Sequence, residues 1–211
     1  MLKFFSEELL GSKKFEFNKI FDTPGTHTGE GALIIPKNGV YEIEAVSGGA
    51  GATVYDDGNQ HVYSNTGSSG AYYNGKIRMQ QGTYTVIIGA GGSTGWQGSS
   101  GGGGFTRIGQ VNEIFQLNGA GPTGIGSAGS VGYLQYVVNE VERINYSPGN
   151  SGGVYVSINV MTNGIHGTVY SPAANYGLGK YGQGGATNCT QTNLARDPGT
   201  GGYLRVTYVG R

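Results

Sequence analysis

Apolar residues in this chain come in short alternating runs that stop abruptly at glycine. Residues 14–21 alternate in part and predict a strand, and the Pro24-Gly25 pair predicts the turn after it. Residues 32–36 read as a short apolar strand ended by Pro36, and 37–39 turn the chain. Residues 40–46 place Glu42 and Glu44 on one face, the two-residue period of a half-buried strand. Further strands are expected at 75–79, 105–109, 113–117 and 201–209. The run 83–88, rich in β-branched residues, is the best-defined strand of the chain. Between them lie Gly-rich arms: one at 47–51, one from 89–92 through Trp96 to 101–104, one at 119–126 and one at 177–185. Residues 52–69 are polar and hold Tyr55, Asp56, Asp57, His61 and Tyr63.

The pattern changes over 130–172. Leu134, Val137, Val138, Val141 and Ile144 fall at helical spacing, although the β-branched residues weaken a helix. Residues 153–160 alternate again, Asn163-Gly164 signals a hairpin, and 165–170 read as its return strand. This stretch is read as an insertion into one domain spanning 15–209. Residues 1–14 stand apart as a docking or frayed segment, with Leu2, Phe5 and Leu9 on one side of one or two helical turns.

Composition sharpens this picture. Gly supplies 43 of 211 residues, against a usual share of about 7%. Each Gly loses more backbone entropy on folding than any other residue, so such density must serve close backbone approach or positive φ. Collagen needs Gly at every third position and abundant Pro; here there are 6 Pro and no sustained three-residue period. Linkers lack the interleaved Val, Ile and Tyr. The remaining solution is extended Gly-rich segments packed side by side, satisfying one another's N–H and C=O groups where no Cβ intervenes. Charged residues are 12% with a net charge of +0, which gives no basic footprint for nucleic acid or an anionic membrane. No run of 18 apolar residues is present, so membrane insertion by a helix is not expected. The lone Cys189 excludes an intrachain disulfide. The first ten residues are too short and too acidic for a secretory signal; for a protein acting outside a cell, delivery by particle assembly and lysis is then one expectation, and a chain lacking its signal is the other.

The order strand, turn, strand, arm, strand, arm also carries a resemblance. Phe21-Asp-Thr-Pro-Gly-Thr26, followed by Ile35-Pro-Lys-Asn-Gly-Val-Tyr-Glu-Ile-Glu-Ala-Val-Ser-Gly-Gly-Ala-Gly51, resembles the opening of glycine-rich domains in phage tail-fibre proteins. Thr83-Tyr-Thr-Val-Ile-Ile-Gly-Ala-Gly-Gly92, Gly101-Gly-Gly-Gly-Phe-Thr-Arg-Ile-Gly109 and Gly202-Tyr-Leu-Arg-Val-Thr-Tyr208 are similar to their later signatures. The similarity covers roughly residues 15–128 and 177–209 and leaves out the insertion. It implies a mainly β fold with antiparallel, sandwich-like strands, packed polyglycine-II-type segments and little helix. It further implies a virion or extracellular setting, an oligomer, other virion or fibre subunits as partners, and a role in surface recognition or fibre structure. No catalytic residue and no cofactor comes with it.

Candidate chemistry is weighed accordingly. A Tyr-, Ser-, Gly- and Asn-rich composition is that of adaptable contact loops, because Tyr offers a large amphipathic face at low entropic cost. Tyr55, His61, Tyr63 and Trp96 are therefore binding candidates, joined by Tyr133, Tyr136, Tyr146 and Tyr170 from the insertion. Their expected targets are a host surface glycan or an outer-surface protein. The alternative is a purely structural collar or capsid-decoration protein with no receptor of its own. Serine-hydrolase patterns occur at Gly149-Asn-Ser-Gly-Gly153, Gly91-Gly-Ser-Thr-Gly95 and Gly98-Ser-Ser-Gly-Gly102. They need a His base and an orienting carboxylate, and His27, His61 and His166 have no supporting signature. The fingerprint Gly124-Ile-Gly-Ser-Ala-Gly129 lacks the flanking elements of a dinucleotide site. Asp56, Asp57 and His61 form no spaced metal set.

Overall fold

The computed structural model describes residues 15–56, 61–96, 100–110, 113–122, 129–134, 145–147, 156–159, 168–170, 181–185, 187–190 and 193–210. Among them the chain forms β1 (Asn18–Phe21), β2 (Gly25–His27), β3 (Leu33–Ile35), β4 (Gly39–Val46), β5 (Thr53–Asp56), β6 (His61–Asn65) and β7 (Tyr72–Met79). It continues with β8 (Gly82–Tyr84), β9 (Val86–Ile88), β10 (Gly95–Trp96), β11 (Thr106–Ile108), β12 (Phe115–Asn118) and β13 (Ser130–Leu134). The last strands are β14 (Asn145–Ser147), β15 (Val156–Asn159), β16 (Thr168–Tyr170), β17 (Thr187–Thr190), β18 (Asn193–Arg196) and β19 (Tyr203–Gly210). The described residues hold one 3-10 turn, Gly29–Gly31, and no α-helix, so the mainly β expectation holds.

Two five-stranded antiparallel sheets make the framework, in the orders β1-β19-β4-β7-β14 and β13-β12-β11-β9-β2. Their facing side chains form one core containing Ile43, Tyr73, Ile77, Leu204 and Val206 from the first sheet and Val86, Ile88, Ile108, Phe115 and Leu117 from the second. The Tyr73 and Phe115 rings meet across the gap with centroids 5.2 Å apart. The alternation in β4 does what its sequence predicts: Tyr41, Ile43 and Ala45 are fully buried, while Glu42 and Glu44 are half-buried on the other face. Each fully buried Ile, Leu or Val contributes roughly 1.5–3 kcal/mol by leaving water. Opposite Ile43 stands Gly75, where a Cβ would lie 2.6 Å from the Tyr73 hydroxyl; the missing side chain is the room that the Tyr73 ring uses.

The strands then run on as glycine arms. Among the described residues there are seven, named here g1 (47–52), g2 (66–71), g3 (89–94), g4 (100–105), g5 (119–122), g6 (182–185) and g7 (197–202). Arm g1 lies at the centre. Ser47 N–H donates to Ala71 O (3.0 Å), Gly48 to Gly104 (2.9 Å) and Gly49 to Thr200 (3.0 Å). Ala50 then donates to Ser68 (2.9 Å), Gly51 to Gly101 (3.1 Å) and Ala52 to Asp197 (3.1 Å). The acceptor arm changes at each residue and recurs after three, the signature of a polyglycine-II helix with three residues per turn and outward-pointing amides. As the donor advances by three the acceptor recedes by three, so g2, g4 and g7 run antiparallel to g1. The carbonyls face the other three arms: Gly48 O accepts from Ala120 N (3.0 Å), Gly49 O from Gly92 N (2.8 Å) and Ala50 O from Gly185 N (2.8 Å).

The six outer arms also bond to one another, in the order g2-g6-g7-g3-g4-g5. Gly67 and Gly70 donate to Gly185 and Gly182, Gly182 to Gly201, Gly199 and Gly202 to Gly92 and Gly89, Gly101 and Gly104 to Ser93 and Ala90, and Gly103 to Ala120. Direction alternates around this ring because each arm continues a strand: g1, g3 and g5 leave β4, β9 and β12, while g2, g4 and g7 return to β7, β11 and β19. Only Gly182 among the described arm glycines has a left-handed φ, 67°. Close approach is the reason for the rest: at Gly48, Gly49, Gly51, Gly67, Gly92, Gly103, Gly184 and Gly199 a Cβ would stand under 3.0 Å from a neighbouring arm's carbonyl oxygen.

Two hydroxyls close the junction where ladder gives way to bundle. Ser47 Oγ accepts from Ala71 N (2.8 Å) and donates to Asn118 O (2.8 Å). On the other side, Thr106 Oγ1 donates to Val46 O (3.0 Å). Both residues are fully buried. Ser47→Ala leaves a buried N–H and a part-buried carbonyl short of a partner, so a loss of about 1–3 kcal/mol is expected in urea unfolding; an unchanged midpoint would show that the staple contributes nothing.

Several local readings are corrected. The run 83–88 is two strands, not one: Thr85 O accepts from Gly109 N (2.8 Å), β8 pairs with β3, and β9 pairs with β11 and β2. The polar stretch 52–69 contains the β5–β6 antiparallel pair and arm g2. The second arm is two antiparallel ones, g3 and g4. Strand β15 pairs with β6 and β16 with β17 in separate sheets; Asn163 and Gly164 of the expected hairpin lie outside the described residues. Leu134 lies in β13 opposite Phe115 rather than on a helix; Val137, Val138, Val141, Ile144 and residues 1–14 lie outside the described residues.

Candidate functional site

Arms g1 and g3 carry the chain away from the framework and open into β5 and β10; β17 follows g6. Strands β6 and β18 lead back into g2 and g7. These connections therefore gather at one end of the bundle, its tip. There β10, β5, β6 and β15 form a four-stranded sheet and β16, β17 and β18 a three-stranded one. Strand β17 lies against β6 and β18 against β5.

Of the eight sequence-derived candidates, five belong to this tip. Tyr55 and Tyr63 are register partners across β5 and β6, His61 stands opposite Asn159, and Tyr170 stands opposite Thr187. Trp96 pairs with Val54 in the parallel β10–β5 ladder, which continues the parallel packing of g3 on g1. Its indole is 42% exposed. Tyr133 and Tyr146 are elsewhere, in framework strands opposite Gln116 and Tyr73. Tyr136 and Asp57 lie outside the described residues.

The tip also contains a residue that sequence reading missed. The Arg196 guanidinium carbon sits 5.3 Å from the Trp96 ring centroid, a cation–π contact worth about 0.5–1 kcal/mol when exposed. The bond from Ala52 N to Asp197 O (3.1 Å) sets the register that brings 196 beside 53. Arg196 Nε and Thr53 Oγ1 are both buried without a hydrogen-bond partner. No local signal marks Arg196; it is a single cation a hundred residues beyond Trp96, and only the g1–g7 pairing joins them.

Other features differ in character. A cleft of about 360 Å3 at the opposite, framework end has Met79, Tyr84 and Ile114 as its floor, with Arg78 and Glu113 at its rim. Ser93, from one of the hydrolase-like patterns, lies in g3 with its carbonyl accepting from Gly101 N (2.9 Å). His27 packs edge-on against Phe21 with centroids 5.2 Å apart, and its Nε2 lies 2.9 Å from Thr23 O. Among the described residues no three His, Cys, Asp or Glu side chains gather as metal ligands. No protein-family model matches this chain, and no curated protein matches it.

Proposed function

We propose that this chain is a non-enzymatic virion protein of the tail-fibre or fibre-tip kind, whose bundle presents a recognition surface at its far end. The observation that carries this reading is the gathering of the strands that join the arms at the tip, with Trp96 exposed among them. A platform whose central arm is hydrogen-bonded on six sides loses little further freedom when it binds, and preordering of that kind converts contact into affinity. Tyr and Trp are the residues that most often dominate such contacts. Other fibre or virion subunits are the partners on the framework side, and a cell-surface glycan or outer-surface protein is the partner at the tip.

The test is adhesion to a panel of bacterial cells by fluorescently labelled protein. Joint replacement of Tyr55, His61, Tyr63, Trp96 and Tyr170 by Ala is expected to lower cell binding at least about tenfold, with the β circular-dichroism signal kept. Full adhesion by that variant would leave the structural, receptor-free role instead.

A further inference from the structure

Resting on that tip reading, we infer that Trp96 and Arg196 form a subsite for a carboxylate-bearing sugar. The indole is 42% exposed, and a flat aromatic surface of this kind stacks on the apolar face of a pyranose ring. Arg196 stands over the same indole. Its guanidinium pairs with no carboxylate among the described residues, and its Nε is buried without an acceptor. Arg205 differs: its guanidinium is 2.7 Å from Glu44, so its charge is already answered.

A planar guanidinium held in place and lacking an anion recognises a carboxylate through paired N–H···O bonds. The Arg196 Nε is left without an acceptor in the free chain, and an unmade hydrogen bond of a charged group is costly. Among the described residues Arg196 is the one cation set over the Trp96 ring, on a chain of net charge +0; that suits one carboxylate rather than a polyanion such as nucleic acid, which needs several cations along its backbone. The site therefore takes an acidic monosaccharide unit, with the ring on Trp96 and the carboxylate on Arg196.

Arg107 supplies an internal control. It stands 5.0 Å from the ring centroid of exposed Phe105 and also has a buried, unpartnered Nε, but it belongs to the framework sheet, not the tip. The experiment is a glycan array of uronic, nonulosonic and octulosonic acid glycosides, each beside its carboxyl-reduced neutral counterpart, probed with the full chain. Binding is expected for acidic members over their neutral counterparts, with a loss of at least about tenfold in Arg196→Gln and Trp96→Ala and none in Arg107→Gln. Equal retention of acidic and neutral members, or parental binding by Arg196→Gln, overturns the subsite. Loss in Arg107→Gln alone moves it off the tip and overturns it too. The cell-adhesion assay separates the two claims: adhesion that needs the tip residues but ignores Arg196→Gln defeats the sugar subsite and leaves the tip reading standing.

Discussion

Replacing Gly51 by Ala is expected to cost on the order of 4–6 kcal/mol and to dismantle the bundle. Gly51 sits in the central arm, and a Cβ there would drive into the Ser93 carbonyl and stand 2.9 Å from Gly92 O. Both obstacles are backbone of g3, which cannot swing aside as a side chain can. Relief requires g3 to move outward. That move breaks the bonds from Gly92 N to Gly49 O (2.8 Å), Gly95 N to Ala52 O (3.0 Å) and Gly101 N to Ser93 O (2.9 Å). Each is worth about 1 kcal/mol net, with the overpacking strain of roughly 1–3 kcal/mol added. Against a whole-domain stability of about 5–15 kcal/mol this is a large share. Gly31→Ala is the matched control, because nothing lies within 4 Å of its added Cβ and its φ is not left-handed. It should shift stability by under about 0.5 kcal/mol. Urea titration of the two variants side by side decides the matter; coincident midpoints would mean that the arms are not in close contact.

Tyr73 is expected to give the second large effect, and its sign depends on what replaces it. The ring is fully buried between the two sheets against Phe115, so Tyr73→Ala opens a cavity and should cost about 3–5 kcal/mol. The hydroxyl, however, is buried without a hydrogen-bond partner. Removing it removes an uncompensated desolvation, so Tyr73→Phe should match or exceed the parent, by up to about 1 kcal/mol. The same burial pushes the phenol up to about 12 from an ordinary 10.0. The folded chain holds that proton more tightly than the unfolded one. Its contribution is therefore complete below pH 10 and is lost as pH rises through about 12, a fall on the order of 2–3 kcal/mol. Tyr41, Tyr72 and Tyr203 are also raised, chiefly by burial, so the parent-minus-Tyr73→Phe difference isolates this residue. Thermal unfolding between pH 9 and 12 should show a shallower alkaline decline in Tyr73→Phe; parallel curves would mean that the phenol is solvated.

How much of this was legible beforehand follows from how local each signal is. Alternation in β4 named its inward and outward faces because side chains in a strand alternate whatever the partner. The Gly-rich runs at g1, g3 and g4 were visible as density. Arm g2 was not: Thr66-Gly-Ser-Ser-Gly-Ala71 has two glycines in six, too few to stand out locally, and g7, with Gly199, Gly201 and Gly202, reads in part as the start of the closing strand. Such glycines are placed where a neighbour's carbonyl demands them, as Gly67 and Gly70 are by Ala50 and Ser47. Tyr133 and Tyr146 show the same limit for the site, since composition selects Tyr without saying whether it stands at the tip or in a framework strand.

The chain's own pattern determined that it would be β, that its glycines would serve backbone packing, and that it would be rich in Tyr and poor in charge. Alternation, β-branching and composition are properties of neighbouring residues, so they survive without a partner. Tertiary structure alone decided that seven arms stack as one centre within a ring of six, that 83–88 splits at Thr85, and that Arg196 reaches Trp96. Each of these depends on which distant amide meets which carbonyl, and hydrogen bonds between segments far apart in the chain leave no periodic trace in the residues between them.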